Sequence, residues 1–487
     1  MSRFVCVHGH FYQPPRENPW TGRVAPEASA APFHDWNERI TAECYAKNAD
    51  AGNYARMSFN FGPTLLSWLE RESGAVYEAV LAADRESRER FSGHGSAIAQ
   101  AYSHMILPLA DERDKRTQVR WGVVDFERRF GRRPQGMWLP ETAVDLPTLE
   151  ALAGQGLRFT ILAPGQAKAW RRIGDSGWQD TDANGIDPRR PYAVALPSGL
   201  RIAVFFYDGP TAHAIAFGEL ARGGEALARR LTSVFSDSTE TQLAHAATDG
   251  ETYGHHFRGG ERVLAEAFSF LEAEGSARLT NYSEFLAVAA PAFEAQIREN
   301  TSWSCAHGIG RWREACGCAT GEHPGWSQAW RAPLREALDW LRDELVRRFE
   351  RDGEKYFRDP WAARDESLPV LASPSAGESE RFFELHAAPS AGAGDRGEAL
   401  RLLEMQRYAM LMFASCGWFF DDPAGLETRQ VLRFAARAIE LSERAPGDSL
   451  EEDFLARLEA VRSNDPAAGN GREMYEQLKI EGMKIED

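Results

Sequence analysis

Two carboxyl groups stand at the close of short apolar runs, Glu141 in QGMWLPET and Asp249 in HAATDGETYGHH. Each run reads as a buried strand, so each acid is expected where a strand gives way to a loop. Cleaving or transferring a sugar through an oxocarbenium-like transition state needs one carboxyl that gives up a proton and a second that attacks or stabilises the anomeric carbon. Two acids at the mouth of one barrel would supply both. His8 and His10, in HGHFYQPP, share a face if that segment is extended, and as neutral imidazoles they could hydrogen-bond sugar hydroxyls. The same pair, with Asp249 and His255 or His256, could instead hold zinc, as in metal-dependent sugar-processing barrels. Asn60, which closes MSFN, and His255 join the polar set, and Trp138 could wall the site. Glu251 is a secondary candidate, because Gly250 favours a turn between it and Asp249.

The elements that must position these residues alternate. RFVCV, MSFNF, QGMW, RFTIL, LAHAAT and RLTNY read as strands, and YAVAL with RIAVFFYDG reads as a hairpin. Helical patterns run from Asp111 to Gly131, through LPTLEALAGQG, from His213 to Phe235 and from Glu261 to Glu274. Such alternation argues for an α/β fold with a parallel sheet. In parallel barrels catalytic groups collect at the carboxyl ends of strands, where several side chains converge without disturbing the core. His8, His10, Asn60, Glu141, Asp249 and His255 all fall there on this reading.

HGHFYQP resembles an expanded form of the N-terminal His-Gln-Pro signature of glycoside hydrolase family 57, which brings Gln13 into the candidate set. MWLPET resembles the family segment carrying the nucleophile, here Glu141, and HAATDGETYGHH the segment carrying the acid/base, here Asp249. The resemblance covers roughly residues 3 to 290 and, as an ordered set of motifs, is fairly specific. It implies an incomplete (β/α)7 barrel followed by a mainly α-helical domain, a retaining hydrolase or glucanotransferase acting on α-linked glucans through a covalent glycosyl-enzyme intermediate, and neither cofactor nor metal. SWSCAHGIGRW, WRAPLREALDWL and EMQRYAMLMFASCGWFFDD resemble a domain of unknown function that follows this barrel in one branch of the family. The competing readings are a metal-dependent enzyme of the polysaccharide deacetylase or zinc mannosidase type, and a carbohydrate-binding protein that has lost catalysis.

Beyond the barrel segment the period changes, which divides the chain into a catalytic part, 1–290, and an α-helical part, 291–487. Leu334, Leu338, Leu341 and Leu345 line one stripe of an amphipathic helix with Pro at its start. Ser, Ala, Gly and Pro dominate 373–397, which reads as a mobile loop. Trp303 and Trp312 offer flat faces for stacking on pyranose rings. Cys305-x-His307, Cys316-x-Cys318 and His323 form a second cluster, but zinc pairs usually leave two to four residues between ligands, and the one-residue spacing favours reduced thiols or a redox pair. Asp421 and Asp422 read as helix caps.

The 487 residues carry 56 basic and 72 acidic side chains, a net charge of −16. That balance repels phosphate backbones and anionic bilayers, so nucleic-acid and membrane partners are not expected, whereas an uncharged oligosaccharide or polysaccharide is compatible. Six cysteines spread over this length do not make a disulfide framework, and the first residues lack a signal-peptide core. A cytoplasmic protein is expected, its oligomeric state left open.

Overall fold

The apolar run that opens the chain forms strand β1, Arg3–Phe11, buried along nearly its whole length, as a strand with neighbours on both edges and both faces covered must be. In the computed structural model, which describes residues 2–372, 375–443 and 448–483, the chain continues through β2 (Ser58–Phe61), β3 (Ala99–Gln100), β4 (Met137–Trp138), β5 (Phe159–Leu162), β6 (Ala167–Arg172), β7 (Gln179–Asp180), β8 (Tyr192–Ala195), β9 (Arg201–Phe206), β10 (Gln242–Asp249), β11 (Arg278–Leu279) and β12 (Phe293–Ile297).

Parallel pairing links seven of these in one succession. β10 lies along β1 over eight residues, from Arg3 opposite Gln242 to His10 opposite Asp249. β2 follows on the other edge of β1, Phe59 bridges to Ala97 just before β3, β3 pairs with β4, Gly136 bridges to Phe159, and β5 pairs with β9. The Asp208 N–H, two residues beyond β9, donates to the carbonyl of His245 in β10 at 3.0 Å. Helices intervene between most successive members, as a right-handed crossover requires. Gly136 is needed in this succession, because a Cβ there would stand 2.3 Å from the Phe159 ring.

Beside this arc, β5, β9, β8, β12, β6 and β7 form a mixed sheet, in which the expected hairpin appears as β8 antiparallel to β9. The helix expected in LPTLEALAGQG forms at Leu146–Gly154, with Asp145 capping it by accepting from the Thr148 N–H. The stretch expected as one helix over 213–235 is instead two, Gly209–Phe217 and Gly224–Thr232, with a 3-10 turn, Glu219–Arg222, between them; Gly223, just before the second helix, takes a φ of 89° that favours glycine. These elements belong to one compact unit, Met1–Gln13, Pro26–Tyr102 and Asp125–Trp303.

The second unit comprises Pro14–Ala25, Ser103–Val124 and Ser304–Asp487 and is helical. Its long helix, Arg331–Gly353, buries the stripe Leu334, Leu338, Leu341 and Leu345 against helices Arg396–Leu411, Leu426–Ser442 and Glu451–Leu458. A buried ion pair, Arg364 to Asp114 at 2.6 Å, is completed by Gln406 and Thr117. The segment 373–397 departs from expectation. Ala376–His386 is a helix whose N-cap Ser375 accepts from the Glu378 N–H, and it buries Phe382, Phe383 and His386, so the i, i+4 spacing of Phe382 and His386 outweighs the loop-like composition around it; Ser373 and Pro374 lie outside the described residues. Among the described residues no helix is long and apolar enough to cross a membrane.

Candidate active site

Register brings the candidates of the first unit together. In β1, His10 is paired with Asp249 of β10 on one side and Asn60 of β2 on the other, and β3 aligns Gln100 with Trp138 of β4. Asn60 is the hub. His8 Nε2 donates to its Oδ1 at 3.1 Å, and its amide nitrogen donates to His10 Nδ1 at 3.0 Å and to Gln100 Oε1 at 2.8 Å. The other ring nitrogen of His8 meets Ser58 Oγ at 3.0 Å. This network assigns both tautomers, with the proton on Nε2 in each ring. Burial, reinforced at His8 by its neighbour His10, pushes both imidazoles down to about 3 despite the Asn60 bonds. Both are therefore neutral at physiological pH, as expected. The indole of Trp138 lies across the two imidazoles, 4.9 Å from each at an angle of 18°.

Glu141 sits in a tight turn, Pro140–Thr142, immediately beyond β4. Its φ is 57° and that of Thr142 is 51°. Two consecutive non-glycine residues in left-handed conformation cost of order 1–3 kcal/mol each and persist only where surroundings enforce them. Those surroundings are visible. The Trp303 N–H donates to the Glu141 carbonyl and the Trp303 indole N–H to Glu141 Oε2, both at 3.1 Å. Gln166 Nε2 donates to the Thr142 carbonyl at 2.8 Å, and Val144 pairs with Thr301. The half-buried Trp303 also packs edge-on against Trp138, centroids 5.0 Å apart.

Asp249 is the last residue of β10. Its side chain reaches solvent while protein crowds round it, and that crowding, then the charges of Glu251 and Glu141, push its carboxyl well above the ordinary carboxylate range. Glu141 and Asp249, 108 residues apart in sequence, are therefore close enough to feel each other's charge. Glu251 follows in the turn and is buried. It accepts from Tyr45 Oη at 2.6 Å and the Tyr12 N–H at 3.1 Å, and also from the Gln13 side chain, and burial outweighs these bonds and raises it to about 7. Gly250 between the two acids is held under the Phe11 ring, 2.2 Å from where a Cβ would stand. One carboxyl that keeps its proton beside a second held by a hydrogen-bond donor is the division of labour that acid and nucleophilic catalysis at a glycosidic bond requires.

Several candidates take different roles from those expected. His8 is fully buried with both nitrogens engaged, so it orients Asn60 and His10 instead of meeting a sugar. Trp138 is fully buried as well and backs the histidines. His255 is tied by Nδ1 to Glu43 at 2.5 Å, where burial draws Glu43 up but the His255 and Arg39 bonds bring it below its ordinary value. Trp312, in the second unit, is wholly buried and donates to the Ser415 carbonyl at 3.2 Å, so it is a core residue and presents no face for a sugar. Asp421 and Asp422 cap no helix. Asp421 accepts from the Thr320 N–H and hydroxyl, and Asp422 from Ser463, Asn464 and Ala424. Among the described residues the one convergent set of potential metal ligands is Cys305, His307, Cys316 and Cys318; His8, His10 and Asp249 form no such set, and His323 stacks on Trp326 at 3.8 Å.

The residues that sequence reasoning missed are Gln100, Tyr45 and Tyr207. Tyr207 directly follows β9, and burial and the charge of Asp249 raise its hydroxyl; its place at a strand end was the available signal. Gln100 ends a two-residue strand too short to show periodicity. Two buried donors, Gln100 Nε2 and Trp138 Nε1, lack protein partners.

A family model described as glycosyl hydrolase family 57 matches residues 39–298, and a second, described as a domain of unknown function, DUF3536, matches residues 326–485. An alpha-amylase 1 from Dictyoglomus thermophilum is 23% identical over 199 residues, 41% of this chain and 26% of that protein. A 1,4-alpha-glucan branching enzyme from Thermococcus kodakarensis is 28% identical over 142 residues, 25% of this chain and 20% of that protein. The chain thus spans about a quarter or less of the length of these curated relatives. The crystal structure of an exo-type maltose-forming amylase from Pyrococcus sp. ST04 superposes with a TM-score of 0.66 at 17% identity, covering 100% of this chain and 83% of that one, which is a likeness of fold.

Proposed function

Since this chain belongs to glycosyl hydrolase family 57, we propose that it is a retaining enzyme acting on α-linked glucans, as hydrolase or glucanotransferase, through a covalent glycosyl-enzyme intermediate. Glu141 is the nucleophile and Asp249 the acid/base. The observation that carries this reading is the placement of the two carboxyls at the carboxyl ends of β4 and β10, members of one parallel succession of strands. Asp249, raised by its surroundings and by two neighbouring carboxylates, retains the proton that the leaving oxygen needs. The Trp303 indole N–H on Oε2 favours the ionised form of Glu141. After attack by Glu141, Asp249 has lost its proton and takes one from the accepting hydroxyl, of water in hydrolysis or of a second glucan in transfer.

His10, Gln13 and Trp303 form the sugar-recognition set, with Asn60 buried behind His10 and orienting it, and the seven parallel strands are read as an incomplete (β/α)7 barrel with the site at its carboxyl rim. The catalytic groups come from residues 1–290, with Trp303 added from just beyond. Relatives named as amylase and as branching enzyme support an α-1,4-glucan substrate, and six cysteines that form no disulfide among the described residues support a reducing, cytoplasmic setting.

The test is to incubate the protein with a fluorinated α-glucosyl donor that slows deglycosylation, digest it and locate the adduct by mass spectrometry. An adduct on the peptide containing Glu141, lost in Glu141→Gln, supports the assignment. Full turnover by Glu141→Gln or Asp249→Asn overturns it. Product analysis on maltooligosaccharides then separates hydrolysis from transfer, since chains longer than the input arise only by transfer.

A further inference from the structure

The thiol cluster of the helical unit is unused by the chemistry above. We propose that Cys305, His307, Cys316 and Cys318 form a tetrahedral, structural zinc site. The four ligand atoms lie within 4.8 Å of one another. Cys305 Sγ is 3.8 Å from Cys316 Sγ and 3.7 Å from Cys318 Sγ, and Cys318 Sγ is 3.5 Å from His307 Nδ1. Zinc at the centre of a regular tetrahedron, with Zn–S of about 2.3 Å and Zn–N of about 2.0–2.1 Å, puts sulfurs about 3.8 Å apart and sulfur and nitrogen about 3.5 Å apart. The three separations given match these values, and the others stay within 4.8 Å.

Backbone donors face two of the sulfurs, while burial raises the Cys305 thiol to about 11. The backbone N–H groups of His307 and Arg311 point to Cys305 sulfur, and that of Ala306 to Cys318 sulfur, and hydrogen bonds to a metal-bound thiolate are what a supporting shell provides. One-residue spacing within each pair, which argued against metal in the sequence, is accommodated by the chain itself. Gly308 and Gly317 take φ of 75° and 83°, turning the backbone beside His307 and between the two later cysteines. Three thiolates and one imidazole are a soft donor set suited to zinc over hard cations, and four protein ligands leave no open position for substrate or water.

What the ion would hold is a long connection. From 304 to 330 the described chain has one short 3-10 turn, Gly310–Trp312, and connections of that length rarely order themselves. Its other anchors include the Thr320 bonds to Asp421, the Trp312 indole bond to the Ser415 carbonyl, the Ser327 N–H bond to Asn464 and Arg331 Nη1 donating to the Cys318 carbonyl at 2.7 Å. Binding converts three thiols to thiolates, releasing three protons to solvent while His307 binds as neutral imidazole, so no oxidant or reductant is involved.

The experiment loads the full-length reduced protein with zinc, removes loose metal by gel filtration, and measures zinc by plasma mass spectrometry while a mercurial thiol reagent titrates the cysteines in the presence of a zinc-sensitive dye. One zinc per chain, released in step with thiol modification, is expected, and Cys305→Ser/Cys318→Ser should retain none. Zinc well below one per chain in the wild type, or one per chain in the double variant, overturns the proposal. Should the variant fail to fold, cobalt in the wild type decides. Intense sulfur-to-metal charge-transfer bands with tetrahedral d–d bands support the site, and a weak octahedral spectrum refutes it.

Discussion

Glu251→Gln isolates the electrostatic strain stored beside Asp249. Glu251 is buried, and its carboxyl is raised from 4.5 to about 7, burial opposing ionisation more strongly than the Tyr45, Tyr12 and Gln13 bonds favour it. The folded state then holds a proton that the unfolded chain has already released, so the contribution of Glu251 to stability is full below pH 4.5 and is lost as pH rises through 7. At 1.36 kcal/mol for each tenfold change in proton activity, that interval corresponds to roughly 3 kcal/mol. A glutamine keeps an oxygen for the Tyr45 hydroxyl and Tyr12 N–H but never ionises. Urea unfolding followed by tryptophan fluorescence should therefore give a variant whose stability relative to wild type rises by about 3 kcal/mol between pH 4.5 and pH 8. The absolute offset at low pH reflects local refitting, and the change with pH is the diagnostic. A second readout is kinetic. Removing the Glu251 charge lowers the Asp249 carboxyl, so the alkaline limb of the kcat/KM profile should move to lower pH. Parallel stability curves together with an unmoved alkaline limb would refute the argument.

Trp303→Phe removes the indole donor to Glu141 Oε2, so kcat should drop roughly tenfold, the effect of about 1.4 kcal/mol, with KM changed less; steady-state kinetics checks this. Asn60→Ala strands polar groups on His8, His10 and Gln100 and should cost about 2–4 kcal/mol in urea unfolding. Trp312→Ala should cost about 3–5 kcal/mol of stability with KM for maltooligosaccharides unchanged at temperatures where it stays folded, whereas a raised KM with unchanged stability would restore it as a sugar platform.

The strand ends were legible because short apolar runs bounded by Pro, Gly and Asn leave few alternatives, and the leucine stripe of Arg331–Gly353 was legible because its period repeats over many turns. What sequence could not convey was which polar neighbours each residue would meet. Asn60 reads as any loop amide until register sets it between two histidines, and Glu251 owes its raised carboxyl to burial that only the folded chain imposes, against a bond from Tyr45, 206 residues distant. Trp312 and Trp303 look alike in SWSCAHGIGRW, yet one is entombed and one leans on a carboxylate, a difference that only tertiary packing creates. The one-residue Cys spacing cannot report that Cys305, His307, Cys316 and Cys318 converge, because folding and the turns at Gly308 and Gly317 set the directions of these side chains.

The turn that presents Glu141 is kept in its unfavourable backbone shape by bonds from Gln166, Thr301 and Trp303. During synthesis the first 290 residues contain both carboxyls, but the clasp that cocks the turn is not yet made. A nascent polypeptide therefore lacks that clasp until residue 303 has cleared the ribosome, and a fragment ending short of it should fold its strands while leaving the Glu141 turn free to relax.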